Sequence, residues 1–184
     1  MFDSQIAFFG FCGLIIFIIF DLIKNKKHNV IRRVIMYSFI VYVLKVLDVT
    51  IGMISIPPHD YVGHYGYYLQ LVPFYFVADI LAYETGSFLF WNTIRLSFFN
   101  FLLLIPLGVY LAVLFRVNGL KQATTIVFMS TLSIEMVQFF FSITGISTYG
   151  RTFNVDDLIL NTIGGVVGFV VARSLITLWM RRNA

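Results

Sequence analysis

The stretch Arg151-Thr-Phe-Asn-Val-Asp-Asp-Leu-Ile-Leu-Asn-Thr-Ile-Gly-Gly-Val-Val-Gly168 sets an arginine, two adjacent aspartates and an asparagine against the start of a glycine-lined apolar run. That run continues to Met180 with Arg173 as its only further charge, and it ends on Arg181 and Arg182. A run this long and apolar crosses about 30 Å of hydrocarbon as a single helix. Ionisable groups placed so close to hydrocarbon are expensive, and they persist where they are paired or functional.

Composition extends the same reading to the whole chain. Of 184 residues, 59% are hydrophobic and 18% aromatic, with only 12% charged. A soluble domain carries about twice that charge. Residues 1–184 are therefore expected to form a single integral membrane domain of all-α class, a polytopic helix bundle. Cys12, the only cysteine, lies in an apolar run, so one chain offers neither a disulfide framework nor a cysteine metal site.

Five transmembrane helices are expected, over residues 6–23, 31–56, 93–115, 121–143 and 157–180. The first is read as retained, because its flank carries no positive charge and no small-residue cleavage pattern follows it. Lys24, Lys26, Lys27, Arg32 and Arg33 crowd the first connection; Arg116 and Lys121 bracket a later one, and Arg181 and Arg182 close the chain. The positive-inside rule makes all three regions cytoplasmic, which puts the N-terminus outside and the C-terminus inside. The connection 57–92 has no Lys or Arg and is rich in Tyr and Phe. It is expected to be an aromatic outer loop carrying interfacial helices, with Gln70, Pro73 and Asp79 breaking up its apolar middle. The excess of positive charge belongs to the cytoplasmic anchors, which attract anionic lipid. Nucleic-acid binding is not expected.

With this topology, the helical rise places the polar groups of the spans in the outer half of the membrane. Arg95 and Asn100 enter from the outer end of the third span, with Asn100 roughly 10 Å deep. Glu135 and Gln138 lie about 8–12 Å from the outer end of the fourth, and their i, i+3 spacing puts them on one face. Asp157 and Asn161 share a face at the start of the fifth. An outward-facing polar pocket is expected from Arg95, Asn100, Glu135, Gln138, Arg151, Asp156, Asp157 and Asn161. Simpler roles compete for several of these residues. One of Asp156 and Asp157 can cap the fifth helix. Gln138 and Asn100 can join helices by hydrogen bonds. Lys45 and Asp48, at i, i+3, read as a neutralising pair, with Lys45 also a candidate partner for Glu135. Gly164, Gly168 and Ala172 form a small-residue stripe for close helix contact, and Pro106 predicts a kink beside Gly108. Trp91 and Trp179 are expected as interfacial anchors. His59 and His64 beside Asp60 make only a weak metal candidate; no metal or cofactor is expected.

The order of short motifs resembles the VanZ-like family of bacterial membrane proteins. Leu71-Val-Pro73-Phe74 is similar to its Pro-Phe element, and Asn100 through Pro106-Leu-Gly108 to its asparagine, aromatic, Pro-Leu-Gly span. Ser133-Ile-Glu135-Met-Val-Gln138 is similar to its Glu-x-x-Gln helix, and Arg151 with Asp156-Asp157 through Asn161 and Gly164 to its ending. These motifs cover about residues 71–168. The uncharged loop 141–149 departs from the tighter turn that relatives often carry. The resemblance implies a multi-pass protein of the bacterial cell membrane that acts on the envelope, in a family named for resistance to teicoplanin-type glycopeptides. It supplies no reaction.

Two functions compete on these residues. In the first, the pocket binds a membrane lipid, a lipid-linked cell-wall precursor or the acyl tail of a lipoglycopeptide. In the second, the chain is an enzyme acting on a lipid headgroup or lipid-linked sugar. Glu135 or Asp157 would then be catalytic, with Glu135 as general acid or base. Arg95 and Arg151 would hold phosphate, and Asp156 with Asp157 a divalent ion. No nucleophile elbow, metalloprotease His pair or phosphate-binding glycine loop is present. A transporter is disfavoured by the lack of an inverted repeat.

Overall fold

The computed structural model describes residues 5–25, 29–52, 54, 58, 69–147 and 151–183. Lys26, Lys27, His59, Asp60, His64 and the tyrosine-rich stretch 61–68 lie outside the described residues. The elements in chain order are α1 (Gln5–Asn25), α2 (Val30–Ile51), β1 (Leu69–Gln70), α3 (Tyr75–Ala82), α4 (Phe88–Leu103), α5 (Ile105–Val113), α6 (Leu120–Ile143), β2 (Phe153–Asn154) and α7 (Val155–Arg182). The protein is an all-α polytopic membrane protein. Val30–Ile51, Phe88–Val113, Leu120–Ile143 and Val155–Arg182 are each long and apolar enough to cross a bilayer. The first expected span coincides with the 21-residue helix α1, which is not among these four.

Helix ends depart from the expected limits where local chemistry overrides hydropathy. α2 stops at Ile51 rather than 56, because Gly52 turns into positive φ (68°) and returns its N–H to the Asp48 carbonyl. α4 starts at Phe88 rather than 93, because the Ser87 hydroxyl accepts the Phe90 N–H at 3.2 Å. α7 starts at Val155, because the Asn154 side chain accepts the Asp156 N–H at 2.9 Å. The helix cap foreseen at Asp156 or Asp157 is thus supplied by Asn154.

The chain folds as two compact units, Met1–Tyr68 with Val137–Arg151 and Leu69–Met136 with Thr152–Ala184. In the first, α1 packs on α2. Asp21 and Arg33 join these helices by an ion pair of 2.6 Å, and Phe17 meets Tyr37 edge-on with centroids 6.2 Å apart.

The second unit holds the tightest packing. Pro106 lacks the N–H that would reach the Leu102 carbonyl, and the N–H of Leu104 turns to it instead. The expected interruption falls at Leu104, a single non-helical residue between α4 and α5 that is 2% exposed. α7 lies directly against this interruption. A Cβ on Gly164 would overlap the Phe101 carbonyl oxygen, and one on Gly168 the Ile105 carbonyl oxygen. A Cβ on Gly108 would in turn overlap the Gly165 carbonyl oxygen. Glycine on both sides lets the two backbones touch, the mode by which membrane helices associate without a hydrophobic drive. Matching of Phe101 with Gly164 and of Ile105 with Gly168 makes α4–α5 and α7 run parallel. The core beside them is Leu104, Leu111, Ala112, Val117, Ala123, Val127, Phe169 and Ala172. Outward faces stay apolar, with Leu175, Leu178 and Trp179 all more than half exposed; these side chains suit a lipid solvent.

Candidate functional site

In the second unit a chain of hydrogen bonds runs from α6 to α3 through the start of α7. Glu135, 2% exposed, accepts the Asn154 N–H at 3.0 Å. Asn154 caps α7 as described, and two residues on the Asp156 carboxylate accepts the backbone N–H groups of Phe74, at 2.5 Å, and Phe76, at 2.9 Å. Asp156 is itself 2% exposed. This geometry has a local cause. Leu69 and Gln70 pair in parallel with Phe153 and Asn154. The Gln70 amide then closes on Val72, accepting its N–H at 2.8 Å and donating to its carbonyl at 2.9 Å. Pro73 follows, and Phe74 takes a left-handed conformation (φ 62°, ψ 23°) with no side-chain cap of its own for α3. Asp156, eighty residues along the chain from Phe76, fills that role. A carboxylate at the positive end of a helix dipole is favoured, and two N–H donors make the bond charge-assisted.

Nearly two turns into α7, Asn161 is 1% exposed and donates to the Thr131 hydroxyl at 3.1 Å. Its Oδ1 and the Thr162 Oγ1 are buried and find no hydrogen-bond partner among the described residues. Asn100 and Asp157 are half-buried and Arg95 is exposed. The Arg95 guanidinium donates to the Asn92 side chain at 3.3 Å. Since α4 and α7 run parallel with Phe101 against Gly164, residues the same distance before these two lie at the same height. Arg95 is therefore level with Asp157, each about 10 Å before the crossing, while Asn100 and Asn161 lie nearer to it.

In the first unit the expected site residues close the end of α2. The Gln138 amide, 8% exposed, donates to the Thr50 carbonyl at 2.8 Å. The Arg151 guanidinium donates to the Val49 carbonyl at 3.3 Å, and its backbone N–H donates to the Ser142 hydroxyl at 2.7 Å. The last carbonyls of a helix have no helical partner, and a cation there also meets the negative dipole end. Lys45 pairs with Asp48 at 3.2 Å, as the neutralising-pair reading anticipates.

The expected site residues thus fall into two groups. Gln138 and Arg151 bond within the first unit, and Glu135, Asp156 and Asn161 within the second. Thr131, Ser142, Asn154 and Gln70 take part but are absent from the expected set. For two of them the signal was present in the sequence: Thr131, Glu135, Gln138 and Ser142 recur at i, i+4, i+7 and i+11, one face of α6, and all four are buried. Among the described residues, no group of three or more His, Cys, Asp or Glu side chains could hold a metal ion.

Apolar outer faces, a small-residue helix crossing and polar side chains spent on helix ends define a polytopic helical membrane protein. Residues 39–178 match the VanZ/LLP1 family. That match takes in α3 to α6, most of α7 and every residue of the expected site, and the chain belongs to this family. None of the curated proteins and none of the solved structures compared with the chain matches it.

Proposed function

We propose that this VanZ/LLP1 family protein is a single five-span domain of the bacterial plasma membrane, N-terminus outside and C-terminus inside. It binds a lipid, a lipid-linked cell-wall precursor or the acyl tail of a lipoglycopeptide in its outer half, and so lowers susceptibility to teicoplanin-type antibiotics. One observation carries the binding role: Asn161 Oδ1 and Thr162 Oγ1 are buried and unanswered among the described residues, near the level of Asn100 and just inward of Arg95 and Asp157. A buried acceptor without a donor costs about 1–3 kcal/mol; a ligand hydroxyl, amide or ammonium would offset that cost. Glu135 and Asp156, by contrast, accept backbone N–H groups, which favours a binder over an enzyme built on those carboxylates.

The orientation draws support from the second unit. Because α4–α5 and α7 are parallel, Arg116 and the Arg181–Arg182 pair come to the same end, and Arg173 donates to the Asn118 carbonyl at 3.5 Å there. Such a basic end belongs in the cytoplasm. At the opposite end α3 has no buried residue, and Leu81 is 80% exposed, which suits a helix lying in the interface.

The test is Asn161→Ala, Asn100→Ala and Arg95→Ala in a teicoplanin susceptibility assay, with membrane abundance measured in parallel. Loss of protection at normal abundance supports the site, and unchanged protection in all three variants refutes it. Lipid analysis of cells with and without the protein separates a binder from an enzyme: a new lipid species would establish modification.

A further inference from the structure

A cavity of about 440 Å³ lies between α1 and α2, lined by Phe17, Asp21, Asn29, Arg32, Arg33, Met36 and Tyr37. It falls in the range of small-molecule sites, about 300–1,000 Å³, and it precedes the family match, which begins at residue 39. Helical spacing builds it. Phe17 and Asp21 are one turn apart on α1, and Arg33 and Tyr37 one turn apart on α2. Arg33 Nε donates to the Asp21 carboxylate, and the Tyr37 hydroxyl donates to the same oxygen. Arg33 Nη2 also reaches the Tyr37 hydroxyl, at 3.2 Å. Asp21 and Arg33 thereby neutralise each other. Arg32, also on the cavity wall and exposed, has no hydrogen-bond or ion-pair partner among the described residues.

The cavity therefore carries a net positive charge, and the start of α2 adds to it. The helix has no acidic residue in its first turn, and its N-cap Asn29 makes no side-chain cap bond. Two arginines at the positive end of a helix dipole repel it, and among the described residues only Arg33 has a counter-ion. An external anion would relieve both. Phe17 and Met36 make part of the wall apolar. Beside them Ile16, Phe20 and Ile23 are 68%, 61% and 71% exposed on α1. An anion whose attached chains run along that helix fits this setting better than a free ion does.

We propose that the α1–α2 cavity is a binding site for the phosphate of an anionic phospholipid, gripped by the Arg32 guanidinium with Arg33, held by Asp21 and Tyr37, behind it. The lipid belongs to the cytoplasmic leaflet under the orientation proposed above. Binding in micelles is blind to orientation, so the site and the topology fail separately.

The test uses the purified full chain in detergent micelles and follows its thermal unfolding midpoint against added dihexanoyl phosphatidylglycerol. Dihexanoyl phosphatidylcholine and inorganic phosphate serve as comparison ligands. Phosphatidylglycerol should raise the midpoint in a saturable way. Arg32→Gln should weaken its apparent affinity by about tenfold or more, the scale of one charge-assisted bidentate contact. Arg32→Lys, which keeps the charge but not the fork, should fall between. The double variant Arg181→Gln/Arg182→Gln removes two charges elsewhere and should bind as the parent does. Equal protection by phosphatidylcholine, unchanged binding in Arg32→Gln, or an equal loss in the double variant would overturn the site. Equal protection by inorganic phosphate would overturn the lipid as its occupant.

Discussion

Asp156 is the residue whose replacement best separates a structural clamp from a ligand contact. Its two oxygens answer the N–H groups of Phe74 and Phe76 while the side chain is 2% exposed. Asp156→Asn keeps the shape but offers one acceptor and one donor. One N–H is then left facing an amide NH₂, which costs about 1–3 kcal/mol for an unanswered buried donor. The remaining bond loses its charge assistance, worth about 1 kcal/mol more. Phe74 already sits in the left-handed region, at about 1–2 kcal/mol for an L-residue, and an eight-residue helix has little stability of its own. A loss of about 2–4 kcal/mol should thus open the start of α3 locally, raising its exchange by about 30-fold to several hundred-fold, since 1.4 kcal/mol is tenfold. Hydrogen–deuterium exchange of the full chain, read on a peptide spanning residues 69–82 against one from the middle of α7, measures this directly. Unchanged exchange in the 69–82 peptide would refute the clamp. An equal rise in both peptides would make the effect global unfolding and refute its local character.

Four further outcomes follow from the packing, the hydrogen bonds and the proposed orientation. Gly164→Ala should destabilise by about 1–3 kcal/mol, because its methyl meets the Phe101 carbonyl. Gly13→Ala, with none of the described atoms within 4 Å of the added methyl, should not lower the thermal midpoint in micelles and, by helix propensity, should raise it slightly. Gln138→Leu removes the donor to the Thr50 carbonyl and should cost about 1–3 kcal/mol, seen as faster exchange at the end of α2. In a Cys12→Ala background, a cysteine at Glu84 should react with an impermeant thiol reagent from outside and one at Gln122 only after permeabilisation. The opposite pattern would overturn the proposed orientation.

The spans were legible in sequence because hydrocarbon imposes long apolar runs, and such runs survive any packing arrangement. The stripe of Gly164, Gly168 and Ala172 was legible for a related reason, since only small residues let backbones meet. Hydropathy did not carry the helix ends. Ser87 and Asn154 stop the apolar pattern with one hydrogen bond each, and a single polar residue beside a hydrophobic run looks the same whether it caps or follows the helix. The polar residues of the candidate site were visible as residues, but their partners were not. Glu135 bonds to the Asn154 amide, Asp156 to amides of Phe74 and Phe76, and Gln138 to the Thr50 carbonyl. Backbone groups are identical at every position, so no pattern of side chains announces which of them will be left open.

The cost of unanswered backbone explains why so many polar side chains gather in this chain. A membrane protein cannot leave a helix end facing lipid, and this chain ends α2 at Gly52, starts α3 at a left-handed Phe74 and interrupts α4–α5 at Leu104. Gln138 and Arg151 answer the first of these ends and Asp156 the second. At the third, glycines of α7 press against the Phe101 and Ile105 carbonyl oxygens, a geometry suited to weak C–H···O bonding. Once those duties are assigned, the same side chains are poor candidates for holding a ligand, because moving them would reopen backbone. Asn161 differs. Its NH₂ binds the Thr131 hydroxyl, while its carbonyl oxygen finds no donor among the described residues. Substitutions at Glu135 or Asp156 should therefore lower abundance and function together, whereas Asn161→Ala should separate them.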